Sequence, residues 1–403
     1  MKKPMSLKYL VGAALIGLMA GQATAQDEPK MGGTLVVGAE TELGTRDPAV
    51  SESGAAARVN RLVFEGLVGR DYYVDTKGAP PPIVPLLATE WTVSDDGLTY
   101  TFKLREGVKF HDGTPFNADA VVFNVRRVSD PDFEYYNSRG AGIPSVRYYN
   151  MTSVEKIDDM TVAFHLSAPN AFFVSQLAEG ATPGLPLIAS PTAIEKYGND
   201  DVVNYPVGTG PFTVAEQVKG QYVTLAKNPD YWNQPYPYVD TLIFRQIPDP
   251  STRVNALLAG EVDMIISVPP DDVAYLEDEG FNVAMGPLPH IWYLYLNVKD
   301  GPFADVRVRQ AANYAVNKEA LVNDVLEGTA EVAAGPTPPA FAWAYNPDLE
   351  PYPYNPDKAR ELIAEAGAEG AELTFFVTEG GSGMLDPIAM GTAIQADLEA
   401  VGF

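Results

Sequence analysis

Few residues in this chain could carry covalent chemistry, and they stand far apart. Among 403 residues there is no cysteine, and the three histidines are His111, His165 and His290. Without a thiol there is no thiolate nucleophile, no disulfide and no sulfur ligand for a metal. His111 stands in the turn Phe110-His111-Asp112-Gly113, His165 on an alternating strand, and His290 just before an apolar stretch. No two have the spacing of a metal pair, so His111 and His165 read as hydrogen-bonded structural residues. Gly208-Thr209-Gly210 lacks the third glycine of a dinucleotide loop, and neither a P-loop nor a G-x-S-x-G elbow occurs. Asp271-Asp272 is an acid pair in an acid-rich chain and carries no signal. A secreted hydrolase, with carboxylates brought together only by folding, stays open as an alternative.

The chain is rich instead in groups for recognition. It has 21 Tyr, 17 Phe and 4 Trp. Tyr and Trp offer a flat apolar face and a polar tip at low entropic cost, which suits the wall of a binding cleft. Acidic residues number 53 against 28 basic, for a net charge of −25. So acidic a surface repels phosphate backbones and anionic headgroups, which excludes nucleic acid and membrane-surface binding.

The elements that must position these groups can be read from periodicity. Residues 99–104 alternate, with Tyr100, Phe102 and Leu104 on one face, which predicts a half-buried strand. Gly107 and Asp112-Gly113 turn the chain, and Asn117 can cap a helix carrying Val121, Val122, Val125 and Val128. Further strands are expected at 32–38, 161–166, 222–227, 242–247, 291–297 and 373–377. Helices are expected at 55–68, from 168, from Ser251 to Ala259, from Asp305 to Val316, from Asn355 to Gly367, and from Asp386 to 401. Residues 129–150 are polar and tyrosine-rich, without a readable period. At 403 residues, 46% of them hydrophobic, the chain is long enough for two or three domains.

Five blocks, in order along the chain, carry a resemblance. They are LTYTFKLREGVKFHDGTPFNAD at 98–119, PVGTGPF at 206–212, NPDYW at 228–232, ALLAGEVD at 256–263 and PFADVRVRQA at 302–311. Together they resemble the solute-binding proteins of peptide, nickel and oligosaccharide ABC importers, the oligopeptide-binding family (solute-binding protein family 5). The resemblance implies an α/β, two-lobed periplasmic binding protein fold of type II that closes on its ligand by hinge motion. It implies a first lobe at 33–285, enlarged by an inserted subdomain at about 70–205, and a second lobe at 286–403. It also implies a monomer without cofactor or catalysis. That monomer would take a solute (peptide first, then oligosaccharide or metal chelate) to a membrane permease and its ATPase. A chemoreceptor-linked or chaperone-like role on the same fold is a further alternative.

The family's geometry also implies the ligand contacts. Glu42 and Leu43 lie just beyond the first strand, and Tyr135 and Tyr136 in the irregular segment of the subdomain. His290, Trp292 and Tyr293 lie where the chain crosses between lobes, and Gly335 where a second-lobe loop nears the cleft. Trp292 reads equally as a core residue, because its stretch is apolar on both faces. In the resembling family the second lobe continues beyond the point where this chain ends and then crosses back. The sequence is therefore expected to be a fragment, its second lobe incomplete, with uncovered edges and poor solubility on its own.

The first 25 residues read as a secretory signal. Lys2, Lys3 and Lys8 precede an apolar run at 9–20, and Ala23-Thr24-Ala25 is a cleavage motif. The run is shorter than the ~20 residues of a membrane span. No cysteine follows it for lipid attachment, so a free protein in a Gram-negative periplasm is expected, without membrane insertion after cleavage. N-terminal sequencing of the exported product should start at Gln26; a product retaining Lys2 and Lys3 would refute the reading.

Overall fold

The structure is a computed structural model that describes residues 29–50, 53–74, 76, 80–140, 142–178, 186–286, 291–380 and 384–403. The signal stretch and His290 lie outside the described residues. In chain order the elements used below are β1 (Thr34–Ala39), α1 (Gly54–Val63), β2 (Ala88–Val93), β3 (Thr99–Leu104), α2 (Ala118–Ser129), α3 (Ile143–Arg147), β4 (Met151–Asp158), β5 (Thr161–Leu166), α4 (Phe173–Leu177) and α5 (Pro191–Asp201). They continue with β6 (Phe212–Val218), β7 (Tyr222–Lys227), β8 (Thr241–Gln246), α6 (Pro250–Leu258), β9 (Met264–Ile265), α7 (Val306–Ala315), α8 (Pro356–Ala366) and α9 (Pro387–Val401).

Two sheets organise the chain up to residue 286. One has the order β6-β7-β8-β1-β9, with β1 parallel to both its neighbours and the other pairs antiparallel. The other is antiparallel, in the order β2-β3-β5-β4. The predicted alternation of β3 holds: Tyr100, Phe102 and Leu104 are buried. They meet α2 and α4 in a core where Phe102 and Phe173 pack against Phe164, ring centroids 5.6 and 5.5 Å apart. Each such side chain, fully removed from water, contributes about 1.5–3 kcal/mol. A second core, around Val37, Val59, Val63, Leu225 and Phe244, joins β1, β7 and β8 to α1.

Local rules place most helix ends. The side chains of Asn117, Asp305, Asn355 and Asp386 each accept a backbone N–H from the first turn of the helix they cap. Arg307 beside Asp305 holds that carboxyl down to about 2. At α6 the cap is Asp249, not the expected Ser251; its carboxylate accepts the Thr252 N–H at 2.7 Å, and Pro250 occupies the first helical position. The helix expected over 55–68 stops at Val63, where Phe64 turns extended. The unreadable stretch 129–150 contains a 3-10 turn at Ser138–Gly140 and the short α3.

Two expected strands do not form. Residues 291–297 and 373–377 keep a strand's alternation of exposure, yet neither is in a ladder. A strand exists only by bonding to a neighbour, and among the described residues no strand is paired with either segment. Tyr295 is 88% and Phe376 90% exposed in consequence. Helices α7, α8 and α9 pack there on each other through Ala311, Ala315, Ala359, Ile363 and Val401.

The sequence blocks meet in space. Glu65 is buried and accepts from Thr209 Oγ1 (2.9 Å), Tyr231 Oη (2.8 Å) and Trp232 Nε1 (3.0 Å). Arg105 stacks on the Trp232 ring at 3.9 Å. His111 Nε2 donates to the Gly210 carbonyl (3.0 Å), while its Nδ1 accepts the Gly208 N–H (3.3 Å). Both ring nitrogens are thus used, and burial pulls the His111 pKa down. Glycine is required at 208 and 210 because a Cβ at either would run into the α1 carbonyls of Val63 and Leu62.

Burial raises the Glu65 carboxyl above its ordinary value of 4.5, against hydrogen bonds from Trp232, Tyr231 and Thr209 and the charge of Arg105. The folded chain therefore holds this proton more tightly than the unfolded chain does. That contribution to stability is full below 4.5 and is lost as pH rises through the raised folded value. Glu65→Gln removes the titration. The unfolding free energy of wild type minus variant should fall as pH rises above the ordinary glutamate range, then level. A difference independent of pH would refute the assignment.

Candidate ligand cleft

In open α/β sheets, ligands bind outside the carboxyl ends of parallel strands. Here those ends belong to β1, β8 and β9, and the loop after β1 is fixed by ion pairs. Glu40 is buried and takes a two-pronged contact from Arg58 of α1, at 3.1 and 3.2 Å. Asn60 Nδ2 donates to the Thr45 carbonyl at 3.1 Å. Arg46 donates to the Leu43 carbonyl, and burial pulls its pKa down to about 10.

Asp47 ends the loop in a buried ion pair. Arg127 of α2 donates to its two oxygens at 2.9 and 2.8 Å, with both side chains 1% exposed. Arg127 Nε also donates to Asn199 Oδ1 at 2.9 Å. Asn199 Nδ2 in turn donates to the carbonyls of Tyr135 and Tyr136, both at 3.1 Å. Asn199 can do this because α5 breaks at Gly198, whose φ of +71° suits glycine. One network therefore joins the strand-end loop, α2, α5 and the tyrosine pair.

The residues singled out from the sequence fall into separate groups. Glu42 is exposed at the strand-end loop. Leu43, its neighbour, is buried in the core beside Val59 and Val63. Tyr135 and Tyr136 are half-buried, and Tyr135 packs on Phe123 and Phe133 at 5.3 and 5.8 Å. Leu43 and Tyr135 touch the same core, so folding brings these two segments together. Trp292 is half-buried and Tyr293 55% exposed, its hydroxyl 2.8 Å from that of Tyr295. Gly335 lies against Leu349, which a Cβ would strike. Among the described residues, the hydrogen bonds of 291–403 run within that segment. None of them brings Trp292, Tyr293 or Gly335 to Glu42 or the tyrosine pair. No cluster of three or more metal-ligating side chains occurs among the described residues.

The profile of the bacterial extracellular solute-binding proteins, family 5 (middle region), matches residues 82–403. The chain belongs to this family. The glutathione-binding protein GsiB of Escherichia coli strain K12 is 37% identical over 337 residues, covering 83% of this chain and 61% of that protein. The chain thus spans less than two thirds of the length of that relative. The periplasmic binding protein DppA from Helicobacter pylori, solved with the peptide STSA, is 30% identical with a TM-score of 0.77, covering 93% of this chain and 73% of that one. The dipeptide-binding protein from Pseudoalteromonas sp. SM9913, solved with Met-Leu, is 26% identical with a TM-score of 0.81, covering 92% and 74%. The fold is the two-lobed α/β fold of type II periplasmic binding proteins. Among the described residues no helix is long and apolar enough to cross a membrane.

Asp47→Ala would leave the Arg127 charge buried and unpaired, which costs about 3–5 kcal/mol. Urea unfolding should show that loss, together with faster amide exchange at Tyr135 and Tyr136. A loss below about 1 kcal/mol, the range of an exposed pair, would show that the network does not carry this load.

Proposed function

We propose that this protein captures a small peptide in the periplasm and presents it to an ABC permease powered by an ATPase, without altering it. The observation that carries the reading is in three names: GsiB is a glutathione-binding protein, and the two solved proteins described above hold the peptide STSA and Met-Leu. The secretory signal in the sequence and the hydrogen-bonded roles of His111 and His165 support it. His165 is bound between Thr99 Oγ1 (3.2 Å) and Glu155 (3.0 Å).

In this reading a first lobe at 33–285, with a subdomain inserted at about 70–205, faces a second lobe that begins at 286. Glu42, Tyr135 and Tyr136 line one wall; His290, Trp292, Tyr293 and Gly335 line the other. Leu43 supports the first wall from the core. The protein acts as a monomer and needs no cofactor.

Thermal unfolding with a panel of di- and tripeptides tests the proposal. A cognate peptide at a hundredfold excess over Kd should stabilise the chain by ~2.7 kcal/mol and be recovered unchanged. Trp292→Ala should weaken binding and leave the unliganded chain within about 1 kcal/mol of wild type, because its side chain is already half in water. A chemically altered peptide would favour the hydrolase. No stabilisation by any peptide would overturn the peptide assignment.

A further inference from the structure

The loop after β1, residues 40–47, is a strap pinned at both ends. Arg58 holds Glu40 and Arg127 holds Asp47, each through two contacts of between 2.8 and 3.2 Å. Between the pins, Asn60 Nδ2 ties the Thr45 carbonyl to α1 at 3.1 Å. Arg46 Nη2 donates to the Leu43 carbonyl within the strap itself. Gly44 turns the strap at a φ of +65°, and a Cβ there would strike Ala56 of α1.

Arg46 is the worst matched of the buried arginines. Arg127 meets the Asp47 carboxylate and Asn199. Arg253 donates to the carbonyls of Ile247, Pro248 and Ser267 and leaves Nε alone without a partner. Arg46 is 2% exposed and reaches one carbonyl, while its Nε and Nη1 are buried with no hydrogen-bond partner among the described residues. The two buried acids of the strap, Glu40 and Asp47, are taken by other arginines, and Glu42 is exposed. Burial alone lowers the Arg46 pKa, to about 10, with no acid opposing it. A buried cation with orphaned donors bears the full desolvation cost of those groups. In water every one of its donors would be satisfied, so the inward position competes with an outward one.

The strap can exchange these positions without disturbing its pins. Lifting residues 41–46 breaks the bonds to the Thr45 and Leu43 carbonyls and leaves both ion pairs in place. It takes Leu43 out of the core beside Val59 and Val63. The loss of that apolar contact is offset by regained hydration of Arg46 and of Asn60, whose Oδ1 also lacks a partner. Lifted, the strap carries the Arg46 charge up beside the exposed Glu42, at the carboxyl end of β1, where such sheets bind ligands. Local openings of this kind need far less free energy than global unfolding.

We propose that residues 41–46 form a two-state strap at the carboxyl end of β1, closed with Arg46 inside and open with its guanidinium in water, and that the unmatched charge of Arg46 keeps the open state populated. The chain has no cysteine, so a thiol placed at the buried Leu43 is the sole target of dithionitrobenzoate and reacts when the strap lifts. In the full chain carrying Leu43→Cys, labelling should depend only weakly on urea, because opening exposes little surface. Adding Arg46→Met keeps an apolar stem and removes the charge. It should slow labelling about tenfold or more, the effect of no longer burying an orphaned charged group. If Arg46 were a plain clamp on the Leu43 carbonyl, its loss would free Leu43 and quicken labelling. Labelling as steep in urea as global unfolding, or a rate unchanged or raised by Arg46→Met, would overturn the strap. If Leu43→Cys does not fold by circular dichroism, thermal unfolding of Arg46→Met against the wild-type chain decides. A raised Tm would sustain the proposal, and an equal or lowered one would overturn it. No ligand enters the test, so its result stands apart from the peptide reading.

Discussion

The Asp47–Arg127 ion pair is the constraint on which the geometry of the loop after β1 depends. Taking both charges out of water costs several kcal/mol per ion, and attraction offsets this only when geometry and further hydrogen bonds are good. Both conditions are met. The contact is two-pronged, and Asn199 accepts a further hydrogen bond from Arg127 Nε. Asn137 adds its backbone N–H to the Arg127 carbonyl at 2.7 Å. The pair therefore fixes the loop after β1 against α2 with little freedom to slide. A hydrophobic contact of the same area would hold them together without fixing their register, because apolar attraction has no direction.

The family's sequence blocks make sense as contact points rather than as a ligand site. The glycines of Gly208-Thr209-Gly210 let a loop lie against the end of α1, and His111 clasps that loop through both ring nitrogens. Thr209, Tyr231 and Trp232 converge on one buried carboxylate, Glu65. These residues tie the segment after α1 to the loops that carry Thr209, Tyr231 and Trp232.

The described histidines are fixed in place: His111 and His165 are each hydrogen-bonded at both ring nitrogens. The arginines add charge without a proton to give up, since guanidinium stays ionised at any working pH.

Local order was legible in the sequence. Alternation marked β3 and β5, and Asn117, Asp305, Asn355 and Asp386 announced the helices that they cap. These features depend on residues no more than four apart, so spacing alone specifies them. The family was legible too, because five blocks in order fix a single fold. Tertiary structure decided the rest. Leu43 points into the core rather than outward, and residues 291–297 alternate like a strand but find no partner among the described residues. Arg127 meets Asp47 across 80 residues, and Trp232 meets Glu65 across 167. Neither partner carries a local mark of the other, because a buried charge is matched by whatever folding brings within hydrogen-bond reach, and reach in space is not written in spacing along the chain.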